Sequence, residues 1–91
     1  MISIILPIRN ESNFISKTLD SIINQDYPDG NLEIIIADGM SDDGTRGIIK
    51  DYIQINSNIQ LINNPEKIVS TGFNRALSIS EGDIIFRAIG H

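Results

Sequence analysis

Residues 32–45, LEIIIADGMSDDGT, decide the fold class of this chain. Their first half is a continuous apolar run, which is typical of a strand covered on both faces in a parallel sheet. The run ends on the carboxylate of Asp38, and Gly39 then allows the chain to turn. The next residues carry short side chains whose oxygens can cap the first amides of a helix, namely Ser41, Asp42, Asp43 and Thr45. We therefore predict a strand, an acidic turn and a helix, and for residues 41–45 we favour a purely structural turn and cap.

Strands and helices are predicted to alternate along the rest of the chain. We expect strands at residues 2–8, 32–38, 59–62 and 83–88. We expect helices at residues 12–25 and 45–56, and a third that stops at 81–82 and has as its apolar face Val69, Phe73, Ala76 and Leu77. Such an alternation implies right-handed crossovers and a parallel sheet, so the predicted fold class is α/β.

Composition narrows the class of protein. With 91 residues the chain forms at most one domain, and its formal net charge of −5 argues against nucleic-acid binding through a basic surface. There is no cysteine, which excludes disulfides and thiolate metal sites and suits a reducing compartment. The apolar start is broken at Pro7 and has no basic leader, so we predict a buried strand and not a signal segment. The expected localisation is the cytoplasm.

Two junctions, each directly after a predicted strand, form the candidate site. The first strand ends in PIRNE, residues 7–11, and the second ends at Asp38. Ligands of open α/β sheets bind just beyond the carboxyl ends of strands, so both junctions are placed to contact one. On the residues alone, Asn10 and Glu11 could equally cap the first helix, and Asp38 could equally be an ordinary polar strand end.

Four segments follow one another along the chain: PIRNE at residues 7–11, IIADGMSDDGT at 35–45, NPEKIVSTGFN at 64–74 and GDIIFR at 82–87. This ordered set resembles the family 2 glycosyltransferases of the GT-A fold, and the resemblance covers essentially the whole chain. It implies a three-layer, Rossmann-like parallel sheet in the order 3-2-1-4, with helices on both faces and a ligand crevice between strands one and four. Residues 1–91 would then be a single partial domain, the N-terminal half of a GT-A domain.

The resemblance also implies a function. The chain is expected to be the donor-binding portion of an inverting glycosyltransferase, which transfers a sugar from a nucleotide-diphospho-sugar to an acceptor hydroxyl in polysaccharide or glycolipid synthesis. The full-length protein is expected in the cytoplasm, at the inner face of the membrane. The residues implied to bind the nucleotide-sugar are Pro7, Arg9, Glu11, Asp38, Lys67 and Asn74. No catalytic residue is assigned.

The end of the fourth strand departs from the family pattern. In the branch that the chain most resembles, this strand runs into Arg-Val-Asp-Gly-His, whose Asp and the residue two further on hold a divalent cation, Mn²⁺ or Mg²⁺. Here Ile89 stands at the position of the Asp and offers no oxygen to a metal, which leaves His91 as the candidate ligand. In the family, the general base follows this motif, so the 91 residues alone are expected to be inactive.

The same strand leaves an alternative open. A non-catalytic remnant that acts as a nucleotide-binding or assembly module is the second hypothesis, and Ile89 favours it. The fourth strand would also have one unpaired apolar edge. We expect a homo-oligomer through that edge, or fraying of the tail.

Overall fold

The computed structural model of the protein describes residues 1–25 and 31–86. Within them, strands and helices alternate in the order β1 Ile2–Ile8, α1 Ile15–Ile23, β2 Leu32–Asp38, α2 Thr45–Ile55, β3 Ile59–Asn63, α3 Val69–Ile79 and β4 Asp83–Phe86. The predicted α/β class is confirmed. The last two residues of the predicted fourth strand, 87 and 88, lie outside the described residues. None of the helices in the described ranges has the length and apolar character needed to cross a bilayer.

The strands form one parallel sheet in the order β3-β2-β1-β4, which confirms the order expected from the resemblance. The register pairs Ile8 with Asp38 and Asp38 with Asn63, so the last residues of β1, β2 and β3 lie side by side. The direction of winding reverses between β1 and β4, the position where open α/β sheets bind ligands. The loops that follow the first three strands therefore meet at one edge of the sheet.

Helices cover both faces of this sheet. One face packs against α1 and α2, and its buried side chains are Ile4, Leu6, Ile8, Ile15, Leu19, Ile22, Ile34, Ile36, Ile49 and Ile59. The other face packs against α3, and its buried side chains are Ile5, Ile35 and Ala76. Successive residues of a strand point to opposite faces, which is why the isoleucines of each strand divide between the two clusters. Burial of each large side chain contributes about 1.5–3 kcal/mol, so the α1 and α2 face supplies most of the stabilisation.

Helix α1 begins later than predicted, at Ile15 and not at residue 12. The intervening residues form turns. The Glu11 amide donates to Thr45 Oγ1 at 3.0 Å, and the Ser12 amide donates to Asp43 Oδ2 at 3.2 Å. These long-range hydrogen bonds tie the segment before α1 to the loop after β2.

Strand β4 lies at an edge of the described sheet and pairs with β1. Its Ile84 and Ile85, which are successive residues of a strand and so face opposite ways, are 38% and 40% exposed. An apolar edge strand of this kind favours pairing between chains. Self-association through β4 stays a prediction.

Candidate functional site

A cavity of about 240 Å³ opens beside the carboxyl end of β1. One wall is the end of this strand and the turn after it, and it consists of Pro7, Ile8, Arg9 and Glu11. The other wall is the segment between β3 and the start of α3, and it consists of Asn64, Lys67, Ile68 and Val69. Apolar surface thus lies beside two cations and one acid. This combination suits a ligand that has a flat apolar part, hydroxyl groups and negative charge.

Two loops beside the cavity are fastened together, and we call them the loop clasp: the turn after β1, residues 9–12, and the loop after β2, residues 39–45. Arg9 Nε donates to Gly39 O at 3.0 Å, and the Gly39 amide donates to Ile8 O at 2.8 Å. The first residues of the two loops therefore run against each other. A ligand that contacts the first loop would therefore meet a segment that the second loop holds in place.

Asn10 lies at the centre of the loop clasp. Its φ of 53° is left-handed, a conformation that asparagine adopts more readily than most residues. Its amide donates to Ser41 Oγ at 2.8 Å, and its Oδ1 accepts the Asp42 amide at 2.9 Å. Because α1 has its N-cap at Phe14, Asn10 does not cap that helix. The side chain joins the two loops instead.

Asp43 also joins the two loops of the clasp. Its carboxylate accepts the hydroxyl and amide of Thr45 and the amide of Ser12. The hydrogen bond from the Thr45 hydroxyl is the main reason why the pKa of Asp43 falls from 3.8 to about 2, and the Ser12 and Thr45 amides lower it further. Thr45 itself is fully buried and accepts the Glu11 amide.

The structure differs from the favoured interpretation of residues 41–45 as only a turn and a helix cap. The N-cap of α2 is Gly44, and it makes no side-chain capping hydrogen bond. Among the expected capping residues, the described hydrogen bonds show only Asp43 accepting an amide of α2, that of Thr45 at 3.1 Å. The side chains of Ser41 and Thr45 instead accept amides of the turn after β1.

Asp38 ends β2 at the base of the loop clasp, with no exposed surface. Its carboxylate accepts the amide of Ser41 at 3.0 Å, the hydroxyl of Ser41, and Nη1 of Arg46 at 2.6 Å. These partners satisfy the requirement of a buried carboxylate for charge and hydrogen bonding. Asp38 is not part of the cavity lining.

Asn64 organises the second wall of the cavity. It is 2% exposed; its Nδ2 donates to Ile68 O at 2.8 Å, and its Oδ1 accepts the Thr71 hydroxyl at 2.9 Å. The Lys67 amide donates to Asn64 O at 3.0 Å, and Lys67 has a left-handed φ of 65°. Helix α3 comes close at Gly72, where a Cβ atom would lie 2.9 Å from Asn64 Nδ2. The wall is therefore built on tight packing.

The structure brings four of the predicted nucleotide-sugar residues to one cavity: Pro7, Arg9, Glu11 and Lys67. Asp38 lies next to it but outside the lining, and Asn74 lies in a separate shallow groove beside Glu66, Thr71 and Arg75. Sequence reasoning missed Asn64, although an asparagine between a strand and a proline at that edge of the sheet was a usable signal. The roles of all these residues in binding stay predictions.

A divalent cation has no evident site in the described residues. Residues 1–25 and 31–86 contain no group of three His, Cys, Asp or Glu side chains arranged to hold a metal ion. The positions expected to matter, Ile89 and His91, lie outside the described residues. The metal that the resemblance implied stays a prediction.

Comparison with known proteins decides the family. Residues 3–88 match the family model for glycosyl transferase family 2. The chain belongs to glycosyl transferase family 2. The sequence resemblance is confirmed, and proteins similar to this family 2 chain in sequence and in structure are glycosyltransferases.

One relative of this family 2 chain is the dolichyl N-acetyl-alpha-D-glucosaminyl phosphate 3-beta-D-2,3-diacetamido-2,3-dideoxy-beta-D-glucuronosyltransferase of Methanococcus voltae. The two are 41% identical over 91 residues, a match that covers 96% of this chain and 28% of the relative. The chain thus spans less than a third of the length of this relative.

Two solved structures extend the comparison. The mannosyltransferase PcManGT from Pyrobaculum calidifontis, in complex with GDP-Man and Mn²⁺, has a TM-score of 0.87 and 27% identity; the match covers 97% of this chain and 27% of that one. S. aureus TarS 1–349, in complex with UDP-GlcNAc, has a TM-score of 0.81 and 27% identity, with 96% and 26% covered. The family 2 chain has the fold of one part of these enzymes, as the resemblance implied.

Proposed function

We propose that these residues are the donor-binding part of an inverting glycosyltransferase, which transfers a sugar from a nucleotide-diphospho-sugar to an acceptor hydroxyl. The observation that carries the proposal is the cavity beside β1, which gathers Pro7, Arg9, Glu11 and Lys67 in a chain of family 2. Two proteins of similar structure hold GDP-Man and UDP-GlcNAc, which supports a nucleotide-sugar as the donor.

The size of the cavity indicates which part of the donor it takes. Ligand pockets for whole small molecules measure roughly 300–1,000 Å³. At about 240 Å³ this cavity is smaller, so we assign it the nucleoside and the first phosphate, with the sugar beyond it. The base would pack on the apolar surface of Pro7 and Val69, where the loss of water from both surfaces favours contact.

The polar residues of the cavity have separate roles in this proposal. Glu11 offers carboxylate oxygens to the ribose hydroxyls, which are donors. Arg9 and Lys67 lie on opposite walls and offset the charge of the phosphate that the cavity takes. The expected contact between Asp38 and the base stays a prediction, because Ser41 and Arg46 already occupy its carboxylate.

In an inverting transfer the acceptor hydroxyl attacks the anomeric carbon, the bond from that carbon to the diphosphate breaks, and the nucleoside diphosphate leaves with the bonding electrons. A general base takes the proton of the hydroxyl. The described residues bind and orient the donor in this scheme. None of them is assigned as the base, and no step is assigned to a metal. The 91-residue chain is therefore expected to bind the donor without transferring the sugar.

The setting of the full-length protein is also a proposal. The name of the Methanococcus voltae relative describes transfer to a dolichyl-linked sugar phosphate, a lipid-borne acceptor. We therefore propose a lipid-linked or polysaccharide acceptor, and a location in the cytoplasm at the inner face of the membrane. The cysteine-free sequence is compatible with that reducing compartment.

Calorimetric titration with UDP and with GDP, each with and without Mn²⁺, tests the donor site. We expect the chain to bind at least one of them, and Lys67→Met to weaken that binding about tenfold or more, since a charge-assisted hydrogen bond is worth about 1.5–3 kcal/mol. The matched control is Lys50→Met, which removes the same charge from the exposed side of α2 and should leave affinity unchanged. Failure of the wild-type chain to bind either nucleotide would contradict the proposal and favour the non-catalytic assembly module.

The ribose contact can be tested separately. Wild-type chain should prefer UDP over 2′-deoxy-UDP, because the missing hydroxyl removes a donor to Glu11. Glu11→Gln should reduce that preference while affinity for the deoxy nucleotide changes little. Equal weakening of both nucleotides would assign Glu11 a role other than ribose recognition.

A further inference from the structure

Arg46, which no sequence pattern marked, links the ends of two strands. Its Nη1 donates to Asp38 Oδ2 at 2.6 Å, and its Nη2 donates to Asn63 Oδ1 at 2.7 Å. Asp38 is the last residue of β2 and Asn63 the last of β3. A guanidinium presents several donors in one rigid plane and can serve two acceptors at once, which a lysine ammonium cannot do with the same geometry.

The position of Arg46 is unfavourable for its own helix. It is in the first turn of α2, where the helix dipole disfavours a positive charge. The Arg46 side chain is 31% exposed while that of Asp38 is fully buried, so the ion pair is formed at the base of the loop clasp and not in open solvent. Arg46 is thus better suited to holding Asp38 than to stabilising α2.

Through Nη1 and Asp38, Arg46 is connected by hydrogen bonds to the first wall of the cavity. Asp38 accepts both the amide and the hydroxyl of Ser41, which orients that side chain. Ser41 Oγ in turn accepts the amide of Asn10 at 2.8 Å. Asn10 stands between Arg9 and Glu11, the two polar residues of that wall. The orientation of the wall therefore depends on the carboxylate that Arg46 holds.

Through Nη2 and Asn63, Arg46 is connected to the second wall. Asn63 directly precedes Asn64, whose amide donates to Asp38 O at 2.8 Å. Asn64 lines the cavity and fixes Lys67 and Ile68 through its backbone carbonyl and its side chain. Arg46 itself is not part of the lining. It contacts the supports of both walls and neither wall directly.

We propose that Arg46 is a positioning residue, which holds the two walls of the donor cavity in register by pairing at once with Asp38 and Asn63. The inference rests on the proposed function for the identity of the ligand. The coupling of the walls is a property of the free protein and can be measured without ligand.

Amide hydrogen exchange on the free protein, followed by UDP titration, tests this proposal in Arg46→Met, Arg46→Lys and the matched control Lys50→Met. In Arg46→Met we expect exchange of the Asn10 and Asn64 amides to accelerate about tenfold, while core amides such as that of Ile35 keep their rates. The Arg46→Lys ammonium lacks the planar fork that reaches both acceptors, so we expect it to keep the pair with Asp38 and to lose the hydrogen bond to Asn63. It should restore protection at Asn10 through Asp38 and leave Asn64 exposed to exchange.

The UDP titration completes the test. Arg46→Met should weaken UDP and CDP by the same factor, about tenfold, because a displaced wall affects every nucleotide alike. Unchanged exchange at both walls, or faster exchange spread evenly over the core, would overturn the proposal, since the second result marks a merely structural residue. A changed ratio of UDP to CDP affinity would also overturn it and assign base reading to this pair. If wild-type chain binds no nucleotide, the proposed function fails, while the exchange data still decide whether Arg46 couples the walls.

Discussion

Strand β2 carries a buried acid at each end, and the two acids have different surroundings. Glu33, near the start, is 8% exposed, and Asp38, at the end, is fully buried. Glu33 accepts the Ser3 hydroxyl at 2.6 Å and the Glu81 amide at 3.1 Å. Asp38 accepts hydrogen bonds from the Ser41 amide and from the Arg46 guanidinium. Burial of an acid therefore does not by itself indicate a functional site.

The two ends of β2 differ in the segments to which the hydrogen-bond partners of each acid belong. The partners of Glu33 close the junction between α3 and β4, where the Gly82 amide donates to Ser3 Oγ at 2.8 Å. The partners of Asp38 are Ser41 of the loop clasp and Arg46 of α2, and two residues of the clasp, Arg9 and Glu11, line the cavity. The amino end of β2 thus stabilises the fold, and the carboxyl end supports the proposed donor cavity. Mutations at the two ends should separate stability from ligand affinity.

The largest effect is expected from Asp38→Ala. It leaves Arg46 without its carboxylate and Ser41 without its acceptor, and breaking a buried pair typically costs about 3–5 kcal/mol. Since Arg46 is 31% exposed and can turn toward water, we expect a loss of about 3 kcal/mol in the free energy of unfolding. Urea denaturation measures it. UDP affinity of the folded fraction should fall as well, and an unchanged affinity would remove the distinction between the two ends.

Gly82→Ala should destabilise the chain by about 1–3 kcal/mol, the usual range for overpacking, and leave UDP affinity of the folded protein unchanged. A Cβ atom there would lie 2.5 Å from Met1 O and 2.9 Å from Ser3 Oγ, so the backbone must shift. Gly47→Ala is the matched control. No atom lies within 4 Å of its Cβ position in α2, and helix propensity predicts a gain of about 0.5–1 kcal/mol.

Glu33→Gln is expected to cost about 1 kcal/mol, less than Asp38→Ala. Both hydrogen bonds reach one oxygen, Oε2, so an amide oxygen can still accept them, while the charge that strengthened them is lost. Urea denaturation and UDP titration together check the outcome. Wild-type affinity should persist. Weaker binding in this variant would mean that the amino end of β2 is coupled to the cavity after all.

The smallest effect concerns pH and Asp43, which is exposed. Its pKa is lowered in the folded protein from 3.8 to about 2, chiefly by the Thr45 hydroxyl. A lowered folded pKa means that the stabilisation is present above about pH 4 and is lost as the pH falls through about 2. The Ser12 amide resonance should titrate over that window in wild-type protein and not in Asp43→Asn. Glu66→Gln, which removes another acid of lowered pKa, should leave the Ser12 titration intact.

Much of this fold was predictable from local pattern. Continuous apolar runs marked the strands. The family resemblance pointed to Pro7, Arg9 and Glu11, which lie at the end of β1 or just after it and line the cavity. The contacts of the segment before α1 were not predictable, since the Glu11 and Ser12 amides donate to Thr45 and Asp43, far along the chain. Such contacts require the three-dimensional arrangement of the loops.

Arg46 and Asn64 were missed for a similar reason. Their importance arises from the register that places Asn63 beside Asp38, and register between strands cannot be read from either strand alone. Asn74, by contrast, was predicted as a site residue and does not line the cavity. Its helix has polar residues on more than one side, so the sequence did not indicate which of them would face the cavity.

The contact at Gly72 has a consequence for how this fold changes over time. A methyl group there would press on Asn64 and on Pro7, at 2.9 and 3.2 Å, and both residues line the cavity beside β1. A larger side chain at this position of α3 would therefore displace residues of both walls. Substitution in this helix can thus change the shape of the cavity without replacing any residue that lines it.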